Sequence, residues 1–279
     1  YSTLSHLLEG HFRDLHRRLE ASEVKRIYNI SIPHLAPFLL FLKGPFIVIE
    51  DSDDLASNLY KDLIFFCSIL NREASKVHYF PPLTDNGTAG KRARSLLAIK
   101  GSLDSSIITS KEAFFTGYTL SDIESRALGI FKNQELERQR LEKWLLSNGY
   151  KRVSMVIEKG EFSSRGWIFD IFPITEEEPI RIEYFGDNID LIRTFDIETQ
   201  RSIKEIGGLT IFSAIEPEQK NNLLDLADFT NSYILFPDSC QDLLRDSMHR
   251  PYKLITFSHL PFVGKGIDSM EYSIKGLGI

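Results

Sequence analysis

Arg165, Arg181, Glu183 and Phe185 carry the side chains of this sequence best suited to chemistry, and that chemistry is binding. A guanidinium presents a planar fork of N–H donors, a carboxylate accepts them, and a benzyl ring adds apolar area. Along a strand, successive side chains leave opposite faces. In the run IRIEYF at 180–185, Ile180, Ile182 and Tyr184 form one set suited to a core. Arg181, Glu183 and Phe185 form the other set and should face outward. The preceding run repeats the device. Ile168 falls in register with the core set, and Arg165, Trp167 and Phe169 alternate against it. Trp167 and Phe169 fit a core equally well if helices cover that side. A face that mixes arginine with aromatics has the composition of a protein-interface hot spot.

Catalytic and cofactor signatures are missing. A phosphate-binding loop needs glycines, so that backbone N–H groups approach the phosphates, and a lysine to reach the terminal ones. The first strand, 26–30, is followed by SIPHLAP, which has no glycine, no lysine and two prolines. The stretch GTAGKR at 87–92 has the wrong spacing and reads as a flexible surface loop. The run FIVIE followed by Asp51 could hold a magnesium ion through water, but a buried strand feeding a capped helix explains it better. The seven histidines form no HExxH and no pairing with cysteine, and no GxSxG nucleophile elbow occurs. No cofactor and no catalytic residue is expected.

The elements that must position the outward face fall into two patterns. From residue 26 to 117, short apolar strands (46–50, 77–80, 106–109) alternate with helices, one of them carrying Leu55, Leu59, Leu63 and Phe66 as a stripe. Asp51 with Asp54 resembles the capped start of that helix. This rhythm implies a parallel sheet covered on both faces. A helix at 135–147 then turns Leu136, Leu141, Trp144 and Leu145 inward and stops at Gly149. Four strands follow in close succession, at 153–158, 165–172, 180–185 and 189–195. Connections this tight force antiparallel neighbours. The α/β rhythm returns at Leu209, with strands at 210–212, 233–236 and 254–257 and helices at 216–228 and 239–248. A further helix is expected at 2–23. The expected architecture is one α/β domain, 1–118 plus 209–279, split by an inserted α+β domain at 119–208.

The bulk properties narrow the partner. The 279 residues carry a formal net charge of −6, and the inserted stretch has more acidic than basic side chains. A phosphate-gripping surface needs local positive excess, so a protein partner fits the arginine-aromatic face better than nucleic acid. Cys67 and Cys240 lie far apart, without metal-ligand spacing, as small buried hydrophobes of a reducing compartment. No apolar run is long enough to span a membrane. Tyr1 at the start and a glycine-rich close at Ile279 are the ends expected of a piece of a longer chain.

The residues around the outward face resemble the inserted domain shared by UvrB and the transcription-repair coupling factors, the Mfd family. The resemblance is carried by GYKRV at 149–153, GEFSSRGWIFDIFP at 160–173, PIRIEYFGDNIDLIRTFD at 179–196 and QRS at 200–202. KGIDSM at 265–270 and KGLG at 275–278 look like Mfd rather than UvrB. The resemblance implies a degenerate P-loop-NTPase-like sheet domain, without ATP binding, interrupted by a UvrB-interaction-type domain that binds UvrA. It places the UvrA contacts on Arg165, Arg181, Glu183 and Phe185, with Arg152 of the Y-x-R pattern beside them. Ser163 stands where UvrB has a further arginine, which removes that contact. RNA polymerase, DNA and ATP would be engaged by other domains of the parent chain, an ATP-dependent translocase of the bacterial cytoplasm. The alternative is a nucleotide-binding, UvrB-like helicase or damage-binding fragment. Loss of Arg165 and Arg181 together is expected to abolish UvrA binding with the fold retained.

Overall fold

The computed structural model describes residues 10, 12–13, 15–21, 26–28, 32–101, 104–114, 125–215, 223, 232–240, 253–258 and 271–273. The chain divides into two compact units, Tyr1–Pro82 with Leu97–Gly117 and Asn222–Ile279, and Leu83–Leu96 with Tyr118–Asn221. The strands, in chain order, are β1 (Arg26–Tyr28), β2 (Phe46–Glu50), β3 (Val77–Phe80), β4 (Ser106–Ser110), β5 (Ala127–Phe131), β6 (Lys151–Arg152), β7 (Glu161–Arg165) and β8 (Ile168–Ile171). They continue with β9 (Ile180–Phe185), β10 (Asn188–Phe195), β11 (Ser202–Glu205), β12 (Gly208–Phe212), β13 (Tyr233–Pro237), β14 (Lys253–Ser258) and β15 (Glu271–Ser273).

The first unit is a parallel sheet in the order β15-β1-β14-β13-β2-β4-β3. Its central strands β2, β4 and β13 are buried over their whole length. Parallel strands covered on both faces require such continuous burial. The helix Asp53–Ile69 starts at Ser52, whose Oγ accepts the Leu55 N–H at 3.3 Å, with Asp53 and Asp54 at its positive end. The cap is therefore one residue beyond the expected Asp51. Its buried stripe is Ala56, Leu59, Leu63 and Cys67, so Leu55 and Phe66 lie off the centre of the face. Cys67 and Cys240 are buried and unbridged. Burial pushes both thiols above their usual pKa, so neither is poised as a nucleophile. Among the described residues no helix is long and apolar enough to cross a membrane. The described part of 10–20 is helical, and Asp238–Cys240 form a short 3-10 turn. The rest of the helices expected at 2–23, 216–228 and 239–248, and the motifs at 265–270 and 275–278, fall outside the described residues, apart from Leu223 and Ala21.

The second unit holds a six-stranded sheet in the order β11-β10-β9-β8-β7-β6, antiparallel except for β6 with β7. The helix Arg138–Ser147 lays Leu141 and Leu145 into a core shared with Phe162, Phe169, Ile182 and Ile192. It ends in a Schellman motif, with the Tyr150 N–H on the Leu145 carbonyl at 3.0 Å and the Gly149 N–H on the Leu146 carbonyl at 3.4 Å. β12 does not restart the α/β rhythm. It pairs antiparallel with β5, and the two form a separate ladder. The compact unit therefore runs past residue 208 and also takes in residues 83–96.

Three local expectations change. Residues 153–158 are not a strand, because the Ile157 and Glu158 N–H groups both donate to the Glu161 carboxylate at 2.8 Å instead of a ladder. The expected strand 165–172 is two strands, folded at Gly166–Trp167. The expected loop at 87–92 is helical, within Asn86–Gly101. Asp85 and Thr88 start that helix reciprocally: the Thr88 N–H donates to Asp85 Oδ1 at 2.7 Å, and the Asp85 N–H donates to Thr88 Oγ1 at 2.9 Å. Asn86 Nδ2 then donates to the Lys159 carbonyl at 3.1 Å, and Arg94 donates to the Thr175 carbonyl at 3.0 Å and pairs with Glu177.

Gly90 makes this contact possible, since a Cβ there would stand 1.7 Å from the Ile174 carbonyl oxygen. Gly90→Ala is expected to destabilise the protein by about 1–3 kcal/mol, the cost of forcing packed backbones apart. Urea unfolding measures it, and an unchanged midpoint would show that the helix does not seat on Ile174.

Candidate protein-binding face

One face of the six-stranded sheet packs on the helix Arg138–Ser147, and the other turns outward. The ladder registers lay out the outward face row by row. Arg165, Ile168, Glu183 and Leu191 form one row across β7 to β10. Ser163, Asp170, Arg181, Arg193 and Glu205 form the next, across β7 to β11. Phe185 lies beyond them at the end of β9, opposite Asn188. At the other end of the face Phe172, Phe195 and Val156 make a small cluster of their own.

The alternation of β9 is as expected: Ile180, Ile182 and Tyr184 are buried, and Arg181, Glu183 and Phe185 share the outward face. On β8 the expectation is reversed. Phe169 opposes Ile182 and is buried in the core, while Ile168 opposes Glu183 on the outward side. The two-residue turn at Gly166–Trp167 resets the phase, so a count carried through it puts every following side chain on the wrong face.

The four family-implied residues on this face differ in what they present. Phe185 is 81% exposed. The Arg165 side chain is 59% exposed, with its guanidinium 3.6 Å from the Asp170 carboxylate. Arg181 does not stand clear: its side chain is 16% exposed and its partner Asp170 only 2%. Nε and Nη2 of Arg181 donate to the two Asp170 oxygens at 2.7 and 2.9 Å, and Nη1 donates to the Gln200 carbonyl at 3.1 Å. The guanidinium also lies over the Phe195 ring, 4.7 Å from its centre. The hydrogen bonds it donates to the Asp170 carboxylate hold its pKa above the ordinary arginine value. Three of the five donors of the fork are thus used within the sheet, leaving two for a partner. Glu183 is half-buried and accepts from Arg193 Nη1 at 2.7 Å.

Arg152 belongs elsewhere. It pairs in register with Phe162, a core residue, so its side chain leaves on the helix side, where it meets Glu142 at 2.5 Å. Ser163 is buried, and its Oγ donates to the Ser154 carbonyl at 3.2 Å. Sequence reasoning passed over Asp170 and Arg193. The signal for Asp170 was present in IFDI, where one carboxylate interrupts an otherwise apolar strand and needs a cationic neighbour.

This segment has known counterparts. The UvrB interaction domain family matches residues 128–216, which hold all the strands of the face. That stretch is similar in sequence to UvrB interaction domains. Segments of the chain are also similar to transcription-repair-coupling factors: 38% identical over 96 residues to that of Escherichia coli K12, 41% over 109 residues to that of Bacillus subtilis 168, and 56% over 70 residues to that of a bovine Staphylococcus aureus strain. These matches cover 34%, 38% and 25% of this chain, and only 8%, 9% and 6% of the relatives.

The double Arg165 and Arg181 change is thus not structurally silent, because removing Arg181 strands a buried carboxylate. Asp170→Ala, which strands the arginine, is expected to cost about 3 kcal/mol, against less than about 0.5 kcal/mol for the exposed Arg165→Ala. Denaturant midpoints of the two variants decide it, and equal midpoints would mean that the pair adds nothing.

Proposed function

We propose that this chain is a non-catalytic recruitment module of a transcription-coupled DNA repair factor, and that the outward face of its second unit docks UvrA. The observation that carries the reading is the pairing of one exposed arginine and one exposed benzyl ring with a locked charge network behind them. Arg181 and Arg193 each hold an acid of their own, so their geometry is set before a partner arrives. Arg165 and Phe185 are then the groups free to gain from contact, by charge-assisted hydrogen bonds and by apolar burial. Arg181 offers its two remaining donors, and Glu183 shapes the row between Arg165 and Phe185.

The first unit is read as a degenerate P-loop-NTPase-like domain. The sequence that follows β1, NISIPHLAP, has no glycine and no lysine with which to cradle a phosphate. RNA polymerase, DNA and ATP are assigned to other parts of the parent translocase.

Arg165→Ala combined with Phe185→Ala is expected to weaken binding of purified UvrA by more than about 100-fold, as loss of two interface anchors does, with the melting transition unchanged. Undiminished affinity in the double variant rejects the face as the UvrA site. A fluorescent ATP analogue is expected to show no saturable binding to the chain, and saturation would favour a nucleotide-binding, UvrB-like module instead.

A further inference from the structure

We propose that Trp167 is a second apolar anchor for the partner of the outward face, met where that partner wraps the end of the sheet that also carries Phe185; this rests on the reading that the face docks UvrA. Among the described residues, Phe185 at 81% and Trp167 at 67% are the two most exposed large apolar side chains. Neither ring adds to the core, and both are held at fixed places on the backbone.

The places are set by two hairpin turns. Arg165 pairs with Ile168 across Gly166–Trp167, and Phe185 pairs with Asn188 across Gly186–Asp187. Gly166 and Gly186 take the first turn position with φ of 58° and 64°, a left-handed conformation that glycine adopts without a Cβ clash. This is the pattern of the II′ hairpin turn, whose twist matches that of the strands it joins. β7 and β9 both run antiparallel to β8 between them, so both tips lie at one end of the sheet. The Tyr184 N–H donates to the Trp167 carbonyl at 2.8 Å, which carries the β8–β9 ladder into the turn and sets Trp167 opposite Tyr184, so the indole leaves the tip on the helix side of the sheet, at the same end as Phe185. Arg138 donates to the Gly166 carbonyl, which ties the tip to the helix Arg138–Ser147.

A tip bonded on both sides has already lost its backbone freedom on folding. A partner that covers the indole therefore gains its area while ordering only two side-chain torsions. Arg165 stands on the other side of the same turn, so cation, indole and benzyl ring gather at one end of the sheet. The complementary surface is an apolar recess with a carboxylate on its rim. The carboxylate goes to Arg165, because Arg181 and Arg193 are engaged with acids of the sheet.

The test is titration of the full 279-residue chain with purified UvrA. Trp167→Ala is expected to weaken binding about 30-fold, mainly through faster dissociation, with the melting transition unchanged and with most of the affinity restored in Trp167→Phe. A Trp167→Ala variant that binds within about threefold of the parent overturns the anchor and leaves the UvrA reading standing. Failure of the unsubstituted chain to bind UvrA overturns that reading and the anchor with it. Fluorine NMR of the chain labelled with 5-fluorotryptophan avoids dependence on the alanine variant. The Trp167 line, assigned by Trp144→Phe, is expected to shift when UvrA is added, and a line that stays put while binding occurs sinks the proposal.

Discussion

The salt bridge between Arg181 and Asp170 is the constraint on which the outward face depends. A carboxylate with 2% of its side chain exposed would be costly to leave ionised without a partner. Here it receives two parallel N–H bonds from one guanidinium, the geometry in which such a pair is strongest. The pair joins β8 to β9, and the Nη1 bond to the Gln200 carbonyl ties in the segment after β10. The Phe195 ring beneath closes the guanidinium off from one side. A binding surface built this way is rigid at its centre, and the groups at its margin are placed by reference to it.

The same row shows how like charges are managed. Arg181 and Arg193 stand directly opposite each other on β9 and β10, a pairing that repels in isolation. Each is turned toward an acid: Arg181 to Asp170 on β8, and Arg193 diagonally to Glu183 on β9. The two arginines are flanked by Asp170 and Glu205 in their row, which stays close to neutral. Arg165, 3.6 Å from Asp170 and largely exposed, is the cation left on the margin. Partner charge is therefore met at one defined point, which favours orientation over general electrostatic attraction.

The opposite side of the sheet supplies the stability that lets the outward side stay polar. Ile180, Ile182 and Ile192 pack with Leu141 and Leu145 of the helix in one core. The helix that begins at Asn86 seats on Ile174 through the missing side chain of Gly90 and is fastened by Asn86 and Arg94. Residues remote in sequence thus complete a unit that the family match at 128–216 only partly covers.

Much of this was written locally. The alternation of Ile180–Phe185 assigns its two faces with no knowledge of its neighbours, because a strand has period two whatever it pairs with. The buried runs at Phe46–Glu50 and Ser106–Ser110 likewise require a sheet covered on both sides. The stop at Gly149 is legible for the same reason, since its bonds run only to the preceding turn. What the tertiary structure alone decided is long-range or depends on phase. Arg181 looks free in the sequence and is fastened in the fold, because its partner sits eleven residues away on another strand. Phe169 and Ile168 exchanged faces because a two-residue turn reset the alternation. Residues 87–92 read as a loop from their glycines, and became a helix because one of those glycines admits a carbonyl from a distant segment. Periodicity is a property of the backbone and survives in the sequence; which side chains are covered depends on the strands and helices that come to lie against them.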